Sequence, residues 1–158
     1  SVTCNSKAGE KITYPASEVK FGYRDTNIPD PVILSATFKL MQVDPIKLRD
    51  RVKEIFNYKK STQPLADHSA GCTFKNPIDP VSEQRVPAGK LIDEAGLKGL
   101  SVGGATVSDR HANFIVTKPG ATANDVLSLL EKVKQRVFES CGIELHEEIA
   151  VWKRGESG

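Results

Sequence analysis

The stretch from Thr122 to Gly142 limits the possible folds of this chain more than any other. Thr122 followed three residues later by Asp125 is the pattern of a helix start in which side chain and backbone cap each other. Val126, Leu129, Leu130, Val133 and Val137 then recur at helical spacing, and Gly142 supplies the stop. A stripe this apolar must be covered, so the remaining chain has to provide a second layer against it. The helix is read as core, without chemistry of its own.

The candidates for that layer are short strands. His111 to Val116 reads as entry into a strand with His111, Asn113 and Ile115 on one face. A second strand is expected near the end, with Ile143, Leu145, Ile149 and Val151 on one face and Glu144, His146, Glu148, Ala150 and Trp152 on the other, Glu147 interrupting the apolar side. Ala88 to Ala95 predicts a short helix that turns Leu91, Ile92 and Ala95 inward and ends at Gly96 or Gly99. Gly103-Gly104 lacks both the dinucleotide fingerprint and the phosphate-loop lysine, so close packing of strand on helix is the better reading. Residues 78–87 read as loop.

The N-terminal third has a different texture. Turn signals at Ala8-Gly9, Tyr14-Pro15 and Phe21 to Asp25 precede an alternating run from Val32 to Leu40, which predicts a half-buried strand. Short strands with open edges suggest a sheet whose other strands lie outside this sequence; the alternative is pairing wholly within it. Asp44-Pro45 then starts a helix with Leu48, Val52, Ile55 and Phe56 along one face, Lys59 and Lys60 at its end, and Pro64 beyond. Helices and strands that follow one another without a βαβ rhythm give an α+β class.

Composition removes several functions. With 22 basic and 20 acidic side chains in 158 residues, the formal charge of +2 does not announce a nucleic-acid or membrane-surface binder. Cysteines at 4, 72 and 141 show no metal-like pairing, which favours a reduced, cytoplasmic setting over a disulfide scaffold. No apolar run is long enough to span a bilayer, and no metal site is expected.

Chemistry concentrates in Ser69-Ala70-Gly71-Cys72-Thr73-Phe74-Lys75-Asn76-Pro77, which reads as a glycine-permitted, proline-ended turn carrying a thiol, hydroxyls, a cation and a carboxamide. It offers a proton donor and anion ligands. Elsewhere the alternatives stay open. Lys60 is a helix-end charge or a phosphate ligand, and His111 is a hydrogen-bonded structural residue or a ligand contact. Glu148 beside His146 is an acid or orienting pair, or part of a solvated strand face.

Taken in order, Phe21 to Asp25, Ser69 to Pro77, Ala88 to Ile92 with Ala95 to Gly99, Gly103 to Ala105, His111 to Val116 and Leu145 to Ile149 resemble the UDP-N-acetylenolpyruvoylglucosamine reductase (MurB) family of peptidoglycan synthesis. The resemblance implies that residues 1–43 are the end of a second FAD-binding domain and residues 44–158 a C-terminal UDP-sugar-binding domain. It implies a reduction of UDP-N-acetylglucosamine enolpyruvate to UDP-N-acetylmuramate by NADPH through FAD. By the same resemblance Arg24 would hold and polarise the substrate carboxylate, Cys72 would donate the proton, and Glu148 would stabilise the intermediate. Tyr23, Lys60, Asn76 and His111 would bind substrate. Most flavin-binding residues would lie upstream of this sequence, in missing N-terminal domains, so the isolated chain would be colourless and inactive. Three departures stand out: cysteine replaces the better-known serine at 72, Glu147 stands where proline is common, and the interval between Pro77 and Ala88 leaves no room for a lid loop. The last points to the shorter, lidless type. A stand-alone UDP-sugar-binding module is the alternative reading.

Overall fold

The computed structural model describes residues 1–30 and 32–152. They belong to two compact units, Ser1–Arg49 and Asp50–Gly158; residues 153–158 of the expected second domain lie outside the described residues.

The first unit is built from β1 (Val2–Asn5), β2 (Lys11–Tyr14), β3 (Phe21–Gly22), β4 (Asp25–Thr26) and β5 (Val32–Ala36). β1 is the centre of an antiparallel sheet in the order β2-β1-β5, and its Cys4 is fully buried. The turn into β2 takes Gly9 to φ 83, as the Ala8-Gly9 signal predicts. β5 is shorter than the alternation suggests. Val2 lies opposite Ala36, and Thr37 N–H donates the next bond to Ser1 C=O at 2.9 Å, after which the ladder ends before Leu40. Nor does β5 bury one face: every residue from Val32 to Ala36 is exposed on this edge strand.

α1 (Pro45–Thr62) begins where the Asp-Pro pair predicts, with Asp44 Oδ1 accepting the Ile46 N–H at 2.8 Å. Its last turn carries Lys59 and Lys60. None of its residues is buried, so the apolar stripe through Leu48, Val52, Ile55 and Phe56 shares one face, as its spacing predicts, but is uncovered by the described residues.

The second unit contains β6 (His68–Cys72), α2 (Ala88–Glu94), β7 (Ser101–Val102), β8 (Ala105–Val107), β9 (Phe114–Thr117) and α3 (Ala123–Cys141). The four strands form an antiparallel sheet, β6-β9-β8-β7, and α3 packs on β7, β8 and α2. This is an α+β arrangement. The capping box is present in both directions: Thr122 Oγ1 accepts the Asp125 N–H at 3.2 Å, and Asp125 Oδ2 accepts the Thr122 N–H at 2.9 Å. Leu129, Leu130, Val133 and Val137 are buried, each contributing about 1.5–3 kcal/mol relative to exposure. They meet Ile92, Val107, Ile115 and Leu145 in one core.

The glycine pair between β7 and β8 is there for packing. A Cβ on Gly104 would lie 2.6 Å from the Ala121 Cβ, and one on Gly103 would lie 2.4 Å from the Asp125 carboxylate. Only bare backbone lets this hairpin approach the start of α3.

Three local expectations are corrected. Ser69 to Pro77 is not a turn: its first half is β6, and the irregularity lies where Ala70 and Gly71 together oppose Ile115 between the pairs Ser69–Val116 and Cys72–Phe114. Gly71 at φ 86 makes that bulge possible. His111 is not on a strand, because His111 C=O accepts the Phe114 N–H at 3.0 Å in a turn that precedes β9. The final strand is reduced to one bridge, Phe74 to Glu147, secured by Lys75 N–H to His146 C=O and Glu148 N–H to Thr73 C=O, both 2.8 Å. Continuing that register would next require an N–H from Pro77, which has none, and on the other side would meet the Gly71 bulge.

Candidate functional site

A cleft of about 610 Å³ in the second unit brings together residues that are distant in sequence. Its lining includes Cys72, Asn76, Gly89, Lys98, Arg110 and His111. Three of the expected site residues, Cys72, Asn76 and His111, therefore share one cavity.

Each is placed by a break in regular structure. Cys72 ends β6 just beyond the bulge and is half-buried. Asn76 sits where the chain leaves the sheet, and its Oδ1 accepts the Ala88 N–H at 3.0 Å. That bond satisfies one of the unpaired donors at the start of α2, whose own N-cap is Pro87 and has no capping side chain. Arg85 Nη1 in turn donates to the Asn76 C=O at 2.5 Å. His111 Nδ1 accepts the Asn113 N–H at 3.2 Å, so in the neutral ring the proton belongs on Nε2. Burial pushes the His111 pKa below its ordinary value, with nearby Lys98 adding to the effect against its own backbone hydrogen bond. The neutral, Nε2-protonated ring is thus the favoured state. Gly89 permits α2 to come this near, since a Cβ there would lie 3.3 Å from His111 Cε1.

The cleft is electrostatically mixed. Lys90, Lys98 and Arg110 face Asp93 and Glu94, and Lys98 Nζ lies 2.6 Å from Asp93 Oδ2. With so small a cationic excess, an anion there must be selected by directed donors more than by net field.

Two further expected residues border this arrangement. Glu148 does not line the cleft, but its N–H is bound to the C=O of Thr73, next to Cys72. Lys60, exposed near the end of α1, has its C=O bonded by Arg110 Nη1 at 3.4 Å, and Arg110 does line the cleft. The remaining pair, Tyr23 and Arg24, belongs to the first unit. They form the two-residue turn between β3 and β4, with the Arg24 guanidinium 5.9 Å from the Tyr23 ring centroid. Arg24 adopts φ 56, a conformation uncommon outside glycine.

Sequence reasoning did not assign Arg110, Lys98 or Asn113. Lys98 has no signal beyond lying inside a recognisable motif, and Arg110 lies just outside one. Asn113 was placed on a strand face, whereas its carboxamide is buried and bonded to the backbone of Phe74 at both ends. Glu147, the departure in the last segment, is accommodated by Lys134 of α3, 3.0 Å away.

Among the described residues no group of three or more His, Cys, Asp or Glu is placed to hold a metal ion, and no helix is long and apolar enough to cross a membrane. The three cysteines are thiols.

The chain has clear relatives among known proteins. The family model for the C-terminal domain of UDP-N-acetylenolpyruvoylglucosamine reductase matches residues 63–152, more than half of the chain. A protein of that name from Cereibacter sphaeroides is 42% identical over 151 residues, covering 91% of this chain and 49% of the relative. One from Rickettsia felis is 40% identical over 143 residues, covering 90% of this chain and 46% of the relative. The crystal structure of UDP-N-acetylenolpyruvylglucosamine reductase (MurB) from Thermus caldophilus superposes with a TM-score of 0.73 at 37% identity, over 95% of this chain and 52% of that one. The chain spans about half the length of the curated relatives it matches. It belongs to the family defined by the C-terminal domain of UDP-N-acetylenolpyruvoylglucosamine reductase.

Proposed function

We propose that residues 44–158 are the substrate domain of a UDP-N-acetylenolpyruvoylglucosamine reductase and that residues 1–43 are the end of its second FAD-binding domain. The complete enzyme reduces UDP-N-acetylglucosamine enolpyruvate to UDP-N-acetylmuramate with NADPH, in the cytoplasm, for peptidoglycan synthesis. The observation that carries this reading is the convergence of Cys72, Asn76 and His111 on one cleft, with Glu148 tied to the strand of Cys72.

FAD, when bound, supplies the hydride for the terminal carbon of the enolpyruvyl double bond. The cleft residues do not themselves suit that cofactor: His111 is the one aromatic ring among them, which leaves no broad apolar face for an isoalloxazine. The flavin belongs with the domains upstream, and this chain acts on the substrate.

Reduction of the double bond leaves negative charge that spreads into the adjacent carboxylate. Arg24 holds that carboxylate in a planar fork of donors, which a lysine could not reproduce. Cys72 gives its proton to the carbon next to the carboxylate, a task for which a thiol is more acidic than the serine hydroxyl of related enzymes. Glu148 stabilises the charged intermediate. Lys60 and Asn76 bind the diphosphate and nucleotide, His111 donates its Nε2–H to a nucleotide oxygen, and Tyr23 borders the carboxylate beside Arg24.

The test is substrate-dependent NADPH oxidation by the full-length protein that carries this chain. We expect turnover with UDP-N-acetylglucosamine enolpyruvate and a loss of about a hundredfold or more in Cys72→Ala, the usual contribution of a general acid. UDP-sugar binding without any NADPH oxidation would instead identify a binding module.

A further inference from the structure

Asn113 is buried, 39 positions from Phe74 in sequence, and uses every hydrogen-bonding group it has. Its Oδ1 accepts the Phe74 N–H at 2.9 Å, and its Nδ2 donates to the Phe74 C=O at 2.9 Å. Its own C=O accepts the Thr73 N–H at 2.8 Å, and its N–H is received by His111 Nδ1 at 3.2 Å. The carboxamide thus imitates a neighbouring strand at one residue beyond the end of the β6–β9 ladder.

The consequence follows from peptide geometry. Within a planar trans peptide group the C=O and the N–H point to opposite sides. Fixing both polar groups of Phe74 toward Asn113 turns the Thr73 C=O and the Lys75 N–H the other way, where they bond Glu148 N–H and His146 C=O, each at 2.8 Å. Cys72 immediately precedes this clamped segment, and Glu148 is fastened to it. One buried residue therefore bears on the placement of Cys72 and Glu148 through its side chain and of His111 through its own N–H.

We infer that Asn113 is the positioning residue of this site: its two-point bond to the Phe74 backbone sets where the Cys72 thiol and Glu148 stand relative to one another. The inference rests on the roles proposed above for those two residues. Asn113 also borders the cleft, but its carboxamide is committed to the Phe74 backbone, so the role inferred for it is exerted through that backbone.

The test uses the full-length reductase with two variants. Asn113→Leu keeps the volume and removes both side-chain bonds. Asn113→Asp keeps the shape, but only its protonated form can both donate to the Phe74 C=O and accept the Phe74 N–H. For folded Asn113→Leu we expect kcat to fall by about a hundredfold, the scale of a misplacement near 1 Å, with KM for the UDP-sugar changed by less than about threefold. Iodoacetamide labelling, read peptide by peptide, should change in rate at Cys72 and not at the exposed Cys141. For Asn113→Asp, kcat relative to the parent should climb as pH falls. Should Asn113→Leu not fold, that pH profile decides alone. Parent-like kcat and Cys72 labelling in folded Asn113→Leu, or a kcat for Asn113→Asp that tracks the parent at every pH, overturns the inference. Parent-like turnover in Cys72→Ala, alongside altered Cys72 labelling in Asn113→Leu, would refute the proton-donor role and leave the positioning role standing.

Discussion

Replacing Gly104 by alanine separates two explanations of the Gly103-Gly104 pair that sequence could only rank. If the glycines exist so that a hairpin can lie against the first turn of α3, the substitution acts on stability. If they exist to admit a phosphate, it acts on binding. The new Cβ would sit 2.6 Å from the Ala121 Cβ and 2.7 Å from the Ala121 Cα. Ordinary van der Waals contact begins at 3.4 Å, so part of the backbone must retreat by about 0.8 Å, an overpacking that costs about 1–3 kcal/mol. The retreat also stretches the bond from Gly104 N–H to Asp125 Oδ2, now 3.2 Å, and loosens the cap of the helix that organises the core. For a domain of this size, 2 kcal/mol corresponds to a fall in Tm of about 10 °C. Gly120→Ala is the control: nothing lies within 4 Å of its Cβ, and the cost comes from φ 86 alone, about 1 kcal/mol. Thermal and urea unfolding followed by circular dichroism would measure both, and calorimetric titration with UDP below the transition would show binding unchanged. A Gly104→Ala protein as stable as the parent, or one that loses UDP affinity while keeping its Tm, would refute the packing argument.

Further outcomes follow from the site. Cys72→Ser should keep substantial activity while Cys72→Ala loses most of it, measured as NADPH oxidation; equal rates for Cys72→Ala and the parent would remove the thiol from the reaction. The depressed pKa of His111 means that the unfolded state holds more protons below about pH 6.5, so the stability this residue contributes is complete above that value and is lost as pH falls toward the folded pKa. His111→Gln should flatten that acid limb in urea midpoints taken from pH 8 to 5, in steps of about one unit. Glu147→Pro should cost about 1 kcal/mol in a thermal melt, because the bridge uses His146 C=O and Glu148 N–H and the exchange gives up a part-buried ion pair with Lys134 and the bond from the Glu147 N–H to its own carboxylate. The purified 158-residue chain should show no flavin absorbance; near-stoichiometric bound flavin would place the cofactor site within it.

What could be read from sequence was whatever is decided locally. The cap at Thr122, the stripe from Val126 to Val137 and the stop at Gly142 are all settled within one helix, and α3 has those bounds. The start of α1 is legible for the same reason, since Asp44 and Pro45 act on their own neighbours. Its apolar stripe was not, because spacing says which residues share a face and cannot say what covers it. Resemblance found Cys72, Asn76 and His111 without showing how they meet.

The misread segments have a common cause. Alternation from Ile143 to Val151 is sound for a strand, but a ladder needs a partner with an N–H in register, and the partner offers Pro77 at one end and the Gly71 bulge at the other. His111 and Asn113 have the right period for a strand, yet β9 begins only at Phe114. In each case the regular element stops short, and the backbone groups it leaves behind are taken up by side chains: Asn113 bonds Phe74, and Asn76 bonds Ala88. The candidate site is assembled where those interruptions coincide. Polar residues there hold the backbone in place of the ladder, and they bring Cys72, Asn76 and His111 to one cleft because the sheet no longer occupies it. A side chain that serves the backbone in this way gives no periodic signal, and for that reason the residue that ties the site together, Asn113, could be found only from its contacts.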